Sequence, residues 1–259
     1  MNFSQAREVR LRPGQPVSAV FPWGTWMGSH RLTAAEVSQA AQALSGYALA
    51  AHQAELAVGF LPLEGGHRLG VCGIMGKEGI REICSLCVRF AHEIPGVGSG
   101  VFPQIQGKNT LIIGPPGAGK TTLLRDLIRL SALSGLSMGV ADERGEIAAC
   151  HQGAPQLDVG PSTDVVTGLK KSAAIPLLIR SMSPRMIATD ELGAPGDAEA
   201  ILEAARCGVG VLCTLHGASV QDGLRRGVKP LMNAGVFDAI LLLRGPGQAP
   251  QIIMEKNGR

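Results

Sequence analysis

The segment Gly114, Pro115, Pro116, Gly117, Ala118, Gly119, Lys120 and Thr121 constrains this chain more than any other stretch. It fits the pattern G-x-x-x-x-G-K-[ST] at every fixed position. Its flanks fit as well. Leu111, Ile112 and Ile113 form an apolar, strand-sized run before it, and Leu123, Leu124, Leu127 and Ile128 recur on one helical face after it. Strand, glycine loop and helix in this order make a phosphate cradle. The glycines let backbone N–H groups converge on phosphate oxygens, and the helix N-terminus adds positive potential. Lys120 is expected to neutralise the β- and γ-phosphates of ATP, and the Thr121 hydroxyl to ligate Mg²⁺. Thr122 completes the expected nucleotide-binding segment.

Two acids end a second apolar run. Met186 to Thr189 reads as a buried strand, followed by Asp190 and Glu191. After a phosphate loop, this order delivers Asp190 to the Mg²⁺ shell and lets Glu191 polarise the attacking water. Asp142, Glu143 and Arg144 close the strand Met138 to Ala141 on the same edge of the sheet, so Glu143 competes with Glu191 for the role of base. Thr214, Leu215 and His216 end another strand there, which places His216 to sense the γ-phosphate. Arg180, Arg144 and Arg206 are candidates for charge stabilisation during phosphoryl transfer.

Around these motifs the pattern divides. Residues 1–95 read as a small mixed α/β domain, with a hairpin turning at Pro13 and Gly14 and a capping box from Thr33 to Glu36. Strands are expected over 56–62, 67–74 and 83–90. Residues 96–108, rich in Gly, Pro and Ser, read as a hinge. From 109 to 259 strands alternate with helices expected at 120–132, 172–182, 197–207 and 219–226, and a last strand covers 251–256. That rhythm is the signature of a mostly parallel sheet covered on both faces, a RecA-like P-loop NTPase core in the α/β class.

Bulk properties narrow the function. A net charge of +3 is too small to argue for nucleic acid, and the pairs Lys170-Lys171 and Arg225-Arg226 read as solvated surface charge. No apolar run is long enough to span a bilayer and the N-terminus lacks an apolar signal core, so a cytoplasmic protein is expected. Cys84 and Cys87 have CxxC spacing. On a strand, however, i and i+3 point to opposite faces, and no second ligand pair accompanies them, so no metal site is expected there.

The strings GPPGAGKTTLLRDLIRLS, VADERGEIAACHQGAPQLDVG, LLIRSMSPRMIATDELGAPGD and CTLHGAS resemble the stage III sporulation protein AA family, as do REVRLRPGQPV and GGHRLGVCG near the N-terminus. The likeness covers nearly the whole chain. That family is similar to the ATPases of type II and type IV secretion systems, which work as hexameric rings. The resemblance matches residues 142–144 to an acidic box and 214–216 to a histidine box. It implies a mother-cell cytoplasmic ATPase that serves the channel between mother cell and forespore in endospore formation. Its partners would be the other proteins of the stage III sporulation membrane complex, with membrane contact only through them and no nucleic acid. It also implies that Arg68 or Arg89 reaches a neighbouring subunit's nucleotide. Two other readings stay open: an ATP-dependent assembly platform with negligible turnover, and a nucleic-acid-handling P-loop ATPase.

Overall fold

The Thr33 hydroxyl accepts from the Glu36 amide across 3.2 Å while the Glu36 carboxylate takes the Thr33 N–H at 2.7 Å, so the capping box starts a helix at Ala34. The computed structural model describes the chain except residues 1, 2, 4, 47, 48, 50–55, 57–59, 77, 78, 224–227 and 256–259. Its internal contacts divide it into two units, Met1–His92 with Ala149–Gln156, and Glu93–Ala148 with Leu157–Arg259.

The first unit is built on an antiparallel sheet covered by a helix. Its elements are β1 (Glu8–Leu11), β2 (Pro16–Phe21), β3 (Gly24–Arg31), α1 (Ala34–Leu44), β4 (Leu61–Pro62), β5 (Arg68–Gly76) and β6 (Gly79–Arg89), with strand order β3-β2-β1-β6-β5-β4. Alternate residues Leu69, Leu86 and Val88 point to one face and bury Val37 and Ala41 of α1. The opposite face carries a row of charge, because Arg89 pairs with Glu8 on one side and with Arg68 on the other. Strand β3 was not foreseen. Of the strand expected over 56–62 only Leu61–Pro62 is observed, and residues 57–59 lie outside the described residues.

The second unit holds β7 (Thr110–Gly114), β8 (Met138–Asp142), β9 (Thr163–Thr167), β10 (Met186–Thr189), β11 (Gly210–His216), β12 (Ala239–Leu242) and β13 (Gln251–Glu255). Its helices are α2 (Phe102–Ile105), α3 (Lys120–Leu133), α4 (Lys171–Met182), α5 (Asp197–Arg206), α6 (Val220–Gly223) and α7 (Lys229–Asn233). The strand order is β13-β12-β7-β11-β10-β8-β9, parallel throughout except for β13. Leu111, Ile113, Ile187, Val211 and Cys213 pack under α4 and α5, while α3 lies over β7, β8 and β11 on the other face. This is the P-loop type of α/β fold, helices on both faces of a mainly parallel sheet. The end of the helix expected over 219–226 and Lys256 of the last strand lie outside the described residues.

The expected hinge is part of the second unit. Asp126, on α3, accepts from the Gly96 and Gly98 amides at 3.1 and 2.7 Å, and Val101 and Ile105 are buried around the short helix α2. A Gly-Pro-rich composition signals turns, and here those turns are pinned by a buried carboxylate. The stretch 149–156, expected in the second domain, groups with the first unit, where Gln156 Oε1 accepts from the Gly65 amide at 2.9 Å.

Candidate active site

Parallel register gathers four strand ends. Gly114 pairs with His216 across β7 and β11, and Thr189 pairs with both Cys213 and Ala141, so Asp142 and Asp190 reach the same edge. Between β7 and α3 the chain turns through Gly117 and Gly119, at φ 73° and 93°, a region that side chains with a Cβ avoid. Lys120 then opens the helix. Its side chain is buried, and its Nζ donates to the Pro115 carbonyl and to His216 Nδ1, each at 3.0 Å. Burial pushes the Lys120 amine down, and the charges of Asp190 and Glu191 oppose that.

Both oxygens of Asp190 are engaged by threonine hydroxyls. Thr121 Oγ1 donates to Oδ2 across 2.5 Å, and the Thr214 hydroxyl donates to Oδ1. Burial pushes this carboxyl up, which the two hydroxyls only partly offset. Glu191 takes a left-handed backbone, φ 50°, that aims its amide at Thr214 Oγ1 at 2.8 Å. Its carboxylate meets His216 Nε2 and Arg144 NH1, each at 2.6 Å. An ammonium has only donors, so His216 Nδ1 accepts from Lys120 and Nε2 carries the hydrogen given to Glu191.

The turn after β8 is built on Asp142. Its carboxylate accepts from the amides of Glu146, Ile147 and Ala148 at 2.8–3.2 Å. Arg125, one turn into α3, donates to the carbonyls of Glu146 and Ile147 at 2.8 and 2.6 Å, which ties this turn to the helix that starts at Lys120. Glu143 accepts from Lys171 Nζ, 2.9 Å distant. Although burial pushes the Glu143 carboxyl up, the Lys171 bond and charge outweigh it and hold it below the usual glutamate value.

Lys171 corrects the sequence reading. It was expected as solvated surface charge, yet it is 7% exposed. Neither Lys171 nor Arg125 belongs to a motif, and the only available signal was position, Lys171 at the start of a helix and Arg125 facing away from the apolar stripe of another. Arg180 and Arg206 are not brought to this edge. Each sits exposed in the last turn of a helix that runs antiparallel to the strands, and the nine steps from Lys171 carry Arg180 roughly 14 Å toward the opposite edge. Among the described residues no group of three or more His, Cys, Asp or Glu is placed to hold a metal ion. Cys87 lies beside Glu8 in the first unit, Sγ to Oε2 3.8 Å, and Cys84 is exposed.

The donor set suits Mg²⁺ held jointly with phosphate. Thr121 Oγ1 and Asp190 Oδ2 are two hard oxygens meeting at one point, and Mg²⁺ in nucleotide sites takes one or two protein oxygens and completes its octahedron with phosphate and water.

The model of the family described as "Sporulation stage III, protein AA" matches residues 1–259. Stage III sporulation protein AA of Bacillus subtilis is 37% identical over 98% of this chain and 88% of its own length. Among solved structures, the Legionella pneumophila ATPase DotB superposes with TM-score 0.64 at 18% identity, over 92% of this chain and 72% of that one. The pilus retraction motor PilT with bound ADP superposes with TM-score 0.66 at 15% identity, over 98% and 80%. These two likenesses are of fold.

Proposed function

We propose that this chain, which belongs to the sporulation stage III protein AA family, binds Mg-ATP between β7 and β10 and hydrolyses it to ADP and phosphate. The observation that carries the reading is the convergence of Lys120, Thr121, Asp190, Glu191 and His216 on one sheet edge, each within hydrogen-bond reach of another. The loop 114–121 and the N-terminus of α3 receive the phosphates. Lys120 directs its other donors from Pro115 to the β- and γ-oxygens while keeping His216 Nδ1. Thr121 and Asp190 would hold Mg²⁺, which when bound spreads the charge of the transferring phosphoryl group. Glu191 keeps both partners and takes the proton of the attacking water on a remaining lone pair of its carboxylate, which His216 Nε2–H and Arg144 orient. Glu143, tied to Lys171, is left out of proton transfer.

Family membership and the secretion-ATPase fold support a role in the mother cell, powering or gating the channel to the forespore as a ring attached to membrane proteins of the stage III complex. Among the described residues no helix is long and apolar enough to cross a membrane. A second reading has one observation in its favour. Both oxygens of Glu191 are held by charged or polar donors at 2.6 Å, as suits a platform that binds ATP and turns it over slowly. Phosphate release measured with and without the membrane partners separates the two. Turnover stimulated by the partners supports the motor, and tight binding with no release under either condition supports the platform.

A further inference from the structure

A closed circuit of contacts surrounds the small cavity lined by Asp142, Glu143, Arg144, Lys171, Asp190 and Glu191. Lys171 Nζ bonds Glu143 Oε2 at 2.9 Å. The next residue, Arg144, reaches Glu191 Oε2 at 2.6 Å. Beyond Glu191, the amides of Gly193 and Ala194 donate to Asp197 Oδ2 at 3.0 and 2.9 Å, and that same oxygen lies 3.8 Å from Lys171 Nζ. One ammonium therefore closes both ends of the loop system that carries the acids.

The cost of placing it there is high. Lysine is rarely buried without a partner, and a cation in the first turn of a helix opposes the helix dipole. Lys171 is nonetheless 7% exposed, in the first turn of α4, with Asp197 4% exposed beside it. A methionine of similar length would fill this volume without either penalty, so packing alone does not account for the charge.

We infer that Lys171 is a positioning residue for the hydrolytic reaction: it holds Glu143 away from Arg144 and joins the turn after β8 to the loop after Glu191, so that Arg144 meets Glu191 and not its own neighbour. The inference rests on the ATPase reading for its kinetic consequence and on the contacts alone for its structural one. Without the ammonium, Glu143 keeps only the residue-171 backbone amide as donor, one residue from Arg144, and the guanidinium has two carboxylates to choose between.

The test compares the whole chain with Lys171→Met and with Lys171→Met/Glu143→Gln. Hydrogen exchange is read first and needs no turnover. Lys171→Met is expected to speed exchange by about tenfold or more in both segments 143–148 and 193–197, while the loop 114–121 exchanges as before. Faster exchange in one segment only, or in neither, overturns the inference. Kinetics is read second. The single variant should keep its affinity for a fluorescent ATP analogue within about twofold and lose about tenfold or more in kcat, and the double variant should regain part of that loss because Arg144 no longer has a competing carboxylate. Equal losses in both variants, or wild-type kcat in the single variant, also overturn it. Absence of phosphate release by the unmodified chain with its membrane partners would instead reject the ATPase reading, leaving the exchange result to decide the role of Lys171.

Discussion

His216 Nδ1 accepts from Lys120 Nζ across 3.0 Å, and this contact sets the tautomer with which the histidine addresses Glu191. A residue on β11 thus joins Lys120 to Glu191. Replacing His216 by Phe keeps the ring and removes both nitrogens. The expected result is nucleotide affinity within about threefold of wild type and single-turnover hydrolysis slower by about tenfold or more, measured by analogue titration and rapid quench.

Asp126 bears on whether 96–108 is a free hinge. Its carboxylate holds the Gly96 and Gly98 amides and Arg129, whose NH2 lies 2.6 Å from Oδ1. Asp126→Ala leaves those donors without their acceptor and should destabilise the second unit by about 1–3 kcal/mol. Gly98→Ala should also destabilise it, since the added Cβ falls 2.8 Å from Leu127 Cδ2. Denaturant unfolding checks both.

The pH dependence of the first unit is expected to follow His67. Burial pushes its imidazole below 6.5, and Nδ1 must stay unprotonated to accept the Ala91 amide at 3.1 Å. The folded state therefore binds fewer protons than the unfolded state. The stability associated with neutral His67 is complete above about pH 6.5, falls as pH drops below that value, and levels off under the folded pKa. Thermal unfolding followed from pH 8 to 5 should show this slope in the wild type, and His67→Gln should flatten it.

Arg68 and Arg89 oppose each other on β5 and β6, with Glu8 facing Arg89 from β1 and the Arg68 guanidinium 4.5 Å from the Phe60 ring. We propose that one of these arginines supplies charge to a neighbouring subunit's nucleotide. Mixing Lys120→Ala subunits with Arg89→Ala or Arg68→Ala subunits is expected to restore part of the lost activity. No recovery at any ratio, with subunit exchange confirmed, would remove the trans-arginine role.

Much of both units was legible in the sequence where the signals are local. The loop 114–121, the apolar runs before it and before Asp190, and the capping box at Thr33 each state their structure within a few residues. What was illegible depends on partners far apart in the chain. Lys171 is buried by Glu143 and Asp197, 28 and 26 residues away, and nothing beside it announces that. The strand β3 is exposed along most of its length, Met27 included, with only Trp26 and Gly28 partly covered, and β9 is a short edge strand. The hinge was misread because composition reports turns but not the buried Asp126 that fixes them. Arg180 was misread because a run of sequence does not show which end of a helix lies at which edge of the sheet.

The most direct test of the central claim is single-turnover ATP hydrolysis by Glu191→Gln beside the wild type and Glu143→Gln, with Mg²⁺ and with nucleotide affinity measured on the same samples. The account expects Glu191→Gln to bind ATP as the wild type does and to hydrolyse it about 10²-fold more slowly or worse, since an amide cannot take the proton from water. It expects Glu143→Gln to be slowed far less. Wild-type rates in Glu191→Gln, or a loss confined to Glu143→Gln, would contradict it.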